Sequence, residues 1–230
     1  MKKVAIFVEG MTEQEFVVEL IKSLIGNREI EFTLGSQWKG NVSIQSVTHT
    51  PNPEFFVLVV DCCSDGQVKT QILERYSLLV SSGYTTIIGL RDVYPLLRSD
   101  IPKLKAGIAF GMPHTPIAPT IHLAEMETEA WFLAEATHFA RIDDRLTIPF
   151  IDSNGILVSQ TSADQWPHPT KVLDDIYSLS GRKYLTRGKK KKNRVQRTLR
   201  ALSVDEFYIN VRPTLPALNA FITEIETALF

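Results

Sequence analysis

"VAIFVEGMTEQEF", residues 4–16, decides the fold. Residues 4–8 make an unbroken apolar run of strand length, the pattern of a parallel strand covered on both faces. Thr12 and Glu15 have the spacing of a capping box, in which Thr and the Glu three residues on satisfy each other's free N–H groups. Phe16, Val17, Leu20, Ile21 and Leu24 then recur at helical spacing, and Gly26 stops the helix. A buried strand therefore runs into a helix through Glu9 and Gly10. Glu13 and Glu15 have work in the first helical turn, where acids favour the dipole. Glu9 has no such local role, and Gly10 leaves room beside it for a ligand.

Working outward, the pattern repeats. "FFVLVV" (55–60) is a second buried strand, ending at Asp61. Gly66 precedes a helix with Val68, Ile72, Tyr76 and Leu79 on one side, ended by Gly83. "TTIIGL" (85–90) is a third strand, ending at Arg91 and Asp92. Residues 30–47 read as short strands around a "QWKGN" turn. Pro95, Pro102, Pro113, Pro116 and Pro119 break any long element in the next stretch. "TIHLA" (120–124) is a further strand, and "EMETEAWFLAEATHFARI" is helical from about Glu127. Strands alternating with helices imply an α/β fold with a mainly parallel sheet. After Pro149 come irregular segments, a basic run and two helices. The last helix carries Leu215, Leu218, Ile222, Ile225 and Leu229 on one face, suited to a core or to an oligomer interface. The expected organisation is a catalytic domain over 1–148 and a mostly helical extension with a basic segment over 149–230.

Of the 230 residues, 44% are hydrophobic and 22% charged, which is enough apolar matter for a substantial core. No apolar run reaches the roughly 18 residues that span a bilayer. Lys2 and Lys3 are followed by strand residues and Glu9, unlike a signal peptide, so a cytoplasmic location and no membrane partner are expected. The only cysteines, Cys62 and Cys63, are adjacent, with neither disulfide nor zinc spacing, and read as reduced, buried thiols. The net charge of -1 hides an uneven distribution. Residues 182–200, "RKYLTRGKKKKNRVQRTLR", hold 10 of the 25 basic residues and no acid. The rest carries 15 basic against 26 acidic residues, a balance of -11.

Ligands of open parallel sheets bind beyond the carboxyl ends of the strands, where Glu9, Asp61, Asp92 and the glutamates of 125–129 should gather. Crowded carboxylates need a compensating cation. Mg²⁺, with Mn²⁺ as its substitute, suits one or two carboxylates plus waters and phosphate oxygens. Asp61 is a candidate ligand, or a phospho-acceptor of the receiver type, although no matching lysine is evident. Asp65, before Gly66 and a helix, reads as an N-cap or turn aspartate. There is no dinucleotide fingerprint, no phosphate-binding loop and no Gly-x-Ser-x-Gly elbow, and the five histidines show no metal-ligand pairing. His122 reads as a strand-end or core histidine, and Trp131 as a core anchor for its helix.

Three blocks, "VAIFVEGMTEQEF", "TTIIGLRDVYP" and "IHLAEMETEAWFLAE", resemble in order and spacing those of a bacterial TOPRIM-like family related to the OLD-type (overcoming lysogenisation defect) nucleases of phage defence. The resemblance covers residues 1–145 and extends loosely over the remainder. It implies an acidic site in which Glu9 acts as acid/base or metal ligand and Asp92 matches the first aspartate of an Asp-x-Asp pair. Tyr94 stands where the second acid would be. Glu127 and Glu129 are then candidates to supply the lost charge, with a helical Glu125–Glu129 pair as the competing choice. The resemblance also implies an ABC-type or AAA-type ATPase partner.

Within the basic segment, Arg194, Arg197 and Arg200 recur every three residues, with Val195, Leu199 and Leu202 placed to face inward. Cations without acids suit a polyanion, so Arg187, Lys189, Lys190, Lys191, Lys192, Arg194 and Arg197 are candidate phosphate contacts. Tyr184 is the only aromatic in the run, little support for base stacking. The sum reads as a Mg²⁺-dependent phosphodiesterase acting on DNA or RNA. The alternative is a non-catalytic nucleic-acid-binding or regulatory subunit that keeps the fold, which Tyr94 makes credible.

Overall fold

The computed structural model describes residues 2–38, 41–64, 66–186 and 189–230, with the backbone alone at Trp38 and Lys189. Asp65, Arg187 and the side chain of Lys189, each given a role above, lie outside the described residues. The chain divides into two compact units: Met1–Asp92 with Ser99–Leu123 and Ala220–Phe230, and Val93–Arg98 with Ala124–Asn219.

The first unit is built on a six-stranded sheet. In chain order its elements are β1 (Lys2–Val8), α1 (Met11–Ile25), β2 (Ile30–Trp38), β3 (Asn41–Val47), β4 (Phe55–Asp61), α2 (Gln67–Ser81), β5 (Thr86–Asp92), α3 (Ile101–Ala109) and β6 (Thr120–Ala124). The strand order is β3-β2-β4-β1-β5-β6. β1 runs parallel to β4 and β5, and β2 runs parallel to β4, while β3 is antiparallel to β2. The parallel core explains the apolar run of β1, since Val4–Val8 are all at most 1% exposed. From β1 the chain passes through α1 to β2 on one side; from β4 it passes through α2 to β5 on the other. Right-handed crossovers put α1 and α2 on opposite faces, so the winding reverses at the β1/β4 pair.

α2 packs Val68, Ile72 and Leu79 into one cluster with Ala5, Phe7, Val60, Ile87 and Met112. Gly89 allows that closeness, because a Cβ there would lie 2.8 Å from Ile121 and 2.9 Å from Val68. α1 is pinned by Gln14, whose Nε2 donates to Gly35 O (2.8 Å) and Val59 O (2.9 Å). The capping box is not formed. α1 starts at Met11 with Gly10 as N-cap and no side-chain cap, because Gln14 N already bonds Gly10 O at 3.1 Å. Thr12 is thereby drawn into the first turn and buried.

The second unit holds α4 (Glu129–Ala134), α5 (His138–Ile142), α6 (Ile148–Ser153), α7 (Pro169–Ser178) and α8 (Lys189–Ala201), followed by a π-helical turn at Glu206–Val211. The single helix expected from Glu127 starts at Glu129 and breaks after Ala134. Glu135 causes the break: its buried carboxylate accepts from Ser203 N (3.0 Å), Arg141 Nη2 (2.7 Å) and the Thr137 hydroxyl. Three donors on one buried carboxylate outweigh a continued helical ladder. Beyond it, His138 is fully buried between Glu135 O (2.6 Å from Nδ1) and Tyr177 OH (2.9 Å from Nε2). A carbonyl can only accept, so Nδ1 carries the proton, Tyr177 donates to Nε2, and Thr198 donates to Tyr177 at 3.0 Å. Burial holds the His138 imidazole down at about 4.

The last helix, α9 (Pro216–Leu229), begins in the second unit and ends in the first, where Phe221, Ile222, Ile225 and Leu229 are buried. Its apolar face is core. Glu224 accepts from Thr120 and pairs with His122 on β6. Burial pushes the Glu224 carboxyl up, but the bonds from His122 and Thr120 outweigh it and hold it below the usual range. Among the described residues, no helix is long and apolar enough to cross a membrane.

Candidate functional site

The carboxyl ends of β1, β4 and β5 deliver Glu9, Asp61 and Asp92 to one edge of the first unit, and register fixes the arrangement: Val8 is paired with Asp61 on one side and Leu90 on the other. Glu9 is buried, and its Oε2 accepts from Asp92 N at 3.1 Å. The glutamate thus grips the backbone that presents Asp92. Glu13 joins them. Its carboxylate is buried, and ligand oxygens of Glu13 and Asp92 lie within 4.8 Å of one another, a span that one cation can bridge. Sequence reasoning left Glu13 with a dipole role only. The usable signal was its place three residues after Gly10, on a helix whose first residue is Met11.

Gly10 does leave room, but for Glu13 rather than for a ligand. A Cβ on Gly10 would stand 3.0 Å from Glu13 Oε2. The first-turn carboxylate folds back over the glycine and faces inward.

Asp61 Oδ1 accepts from Cys63 N at 2.7 Å, closing a turn in which Cys63 adopts a positive φ of 57°. Such a conformation costs a side-chain-bearing residue about 1–3 kcal/mol. Cys62 is buried and Cys63 exposed, so only one thiol matches the expectation of buried cysteines. Burial first, then the charge of Asp61, pushes the Cys62 thiol up to about 12, leaving it protonated and unreactive. At the end of β5, the Arg91 guanidinium lies against Gly66, its Nη2 3.5 Å from where a Cβ would sit. Arg91 Nε is buried with no hydrogen-bond partner, which made no mark in the sequence reading.

In the second unit, Met126 takes a positive φ of 67° and turns the chain sharply out of β6, so Glu125 precedes the turn and forms no helical pair with Glu129. Glu127 Oε2 accepts from Thr170 N at 2.7 Å, capping the first turn of α7. Tyr94 donates its backbone N–H to Met126 O (2.8 Å) and sets its ring edge-on to His168, 5.1 Å between centroids. Glu129 is buried and its Oε1 accepts from Tyr184 OH at 2.8 Å. Burial, helped by the Glu127 charge, pushes the Glu129 carboxyl above the usual range, and the Tyr184 bond and Lys191 oppose the rise.

Lys191 belongs to α8, so the basic segment and Glu129 share a field. Lys190, Lys191 and Lys192 are exposed, whereas Val195 and Leu199 are buried, as their spacing indicated. Arg194 and Arg197 are half-buried and already engaged: Arg194 Nη1 donates to Leu185 O (2.6 Å) and Arg197 Nη2 to Lys183 O (2.8 Å). Arg197 also lies 5.5 Å above the Tyr177 ring, and burial holds it below its ordinary value.

No protein-family model, curated protein or solved structure matches the chain.

Proposed function

We propose that the protein is a divalent-metal-dependent phosphodiesterase acting on DNA or RNA, built on a TOPRIM-like sheet. The observation that carries this reading is the pair of ligand oxygens from Glu13 and Asp92, within 4.8 Å at the carboxyl edge of a parallel sheet. Two carboxylates suit Mg²⁺, which keeps its remaining positions for waters and phosphate oxygens. A bound ion would supply charge neutralisation at the phosphate and a water acidic enough to attack at neutral pH.

The chain's own residues divide the remaining work. Asp92 and Glu13 hold the ion. Glu9 accepts from Asp92 N and fixes the backbone behind the ligand. Glu129 remains a proposed ligand, as the residue sequence assigned it. Glu127 and Asp61, also assigned to the metal from sequence, each accept a backbone N–H, from Thr170 and Cys63 respectively. Lys190, Lys191 and Lys192 offer exposed cations to the substrate backbone.

The test is cleavage of labelled single-stranded DNA, duplex DNA and RNA in Mg²⁺ or Mn²⁺. Glu13→Gln and Asp92→Asn are each expected to lose at least about 100-fold in rate. Retention of nucleic-acid binding with no cleavage in either metal would replace this reading with that of a non-catalytic binding subunit.

A further inference from the structure

The basic segment does more than carry charge. Residues 183–185 form a strap held at four points. Asp174 Oδ1, on α7, accepts from both Tyr184 N (2.6 Å) and Leu185 N (2.7 Å). From α8, Arg197 Nη2 donates to Lys183 O and Arg194 Nη1 to Leu185 O, at 2.8 and 2.6 Å. A short loop fixed by one carboxylate and two guanidinium groups on flanking helices is far better determined than its sequence, KYL, would make it. At its centre Tyr184 is 5% exposed and points its hydroxyl at Glu129 Oε1, 2.8 Å away.

We propose that Tyr184 is a positioning residue: it holds the Glu129 carboxylate in the orientation in which that acid binds a divalent cation, and the 183–185 strap holds Tyr184. The proposal rests on Glu129 being a metal ligand. Its physical basis is general. A ligating carboxylate is oriented by the hydrogen bonds it accepts, and loss of such a partner typically weakens metal affinity 10–100-fold. Phenol is a suitable donor here, because it supplies one directed O–H without adding a charge that would compete with the ion. Arg194 and Arg197 then serve Glu129 through the strap, while the exposed lysines of the same helix are left for the polyanion.

The experiment is Mn²⁺ titration of the full chain by calorimetry, with Tyr184→Phe, Glu129→Gln and the double variant. Tyr184→Phe keeps the buried ring and removes only the hydroxyl. It is expected to weaken Mn²⁺ binding about tenfold. In the Glu129→Gln background the same change should have no further effect, which a general loss of packing would not reproduce. Asp174→Asn, which loosens the strap and leaves the phenol intact, should weaken binding in the same direction. Unchanged Mn²⁺ affinity in Tyr184→Phe, with weakened binding in Glu129→Gln, would overturn the positioning role alone. Unchanged affinity in Glu129→Gln would instead remove Glu129 from the ligand set, whatever Tyr184 does.

Discussion

A methyl group at position 10 would press on Glu13 Oε2 from 3.0 Å, while the extended backbone of Gly10, φ -154°, is open to any residue. Gly10→Ala should therefore act on the carboxylate and not on the chain path. The expected outcome is a several-fold loss of Mn²⁺ affinity with the thermal midpoint almost unchanged, read by calorimetry and by thermal melts. Glu9 allows a sharper separation. Glu9→Gln keeps a carbonyl oxygen that can accept from Asp92 N, so a purely positioning Glu9 predicts turnover within about tenfold of wild type. A loss of 100-fold or more would give Glu9 the acid/base or ligand role that the sequence suggested. Which of the acids faces inward was legible only in part. Glu9 and Asp92 declare themselves by ending buried strands. Glu13 does not, because a first-turn glutamate looks the same whether it faces water or a cation until the helix start is known to within one residue.

At the level of elements, the buried hydrogen-bonded row from Glu135 O through His138 and Tyr177 to Thr198 ties α5, α7 and α8 together. It also makes stability depend on pH with a definite sign. The folded-state value for His138 is about 4 against an ordinary 6.5. Above 6.5 both states are neutral at this group and it contributes no slope. As pH falls from 6.5 towards 4 the unfolded chain takes up a proton that the folded chain refuses, so stability is lost across that window, by about 3 kcal/mol for this group. Urea midpoints at pH 7 and pH 5 should show this loss in the wild type and a flatter dependence in His138→Gln, even though the variant is less stable at pH 7. The parallel strands and α2 were plain from apolar runs and spacing. The α4–α5 break was not, since Glu135 sits in a stretch of good helix formers, and only its distant donors at Arg141 and Ser203 decide the chain path.

For the molecule as a whole, the basic segment predicts a salt dependence. If Lys190, Lys191 and Lys192 each neutralise one phosphate, the triple change to Gln should reduce the slope of log affinity against log salt by about 2–3 for duplex DNA. Arg194→Gln with Arg197→Gln should leave that slope nearly unaltered and lower stability instead, because both guanidinium groups are spent on the carbonyls of Leu185 and Lys183. Filter binding over a salt series, beside thermal melts, distinguishes the two. Charge counting located this segment at once, but it could not sort lysines from arginines, since only the folded strap shows which cations are already engaged.

The first unit is assembled from three stretches far apart in the chain, and the last of them, Ala220–Phe230, closes it. Phe230 meets Phe55 edge-on at 6.4 Å with Arg28 over both rings, and Glu224 ties down β6. During synthesis the sheet must then wait on the ribosome with an uncovered flank until those eleven residues emerge. Contacts spanning most of the chain also slow closure. Ribosome-bound chains stopped short of residue 220 should remain protease-sensitive in this unit, where the chain that includes residues 220–230 resists.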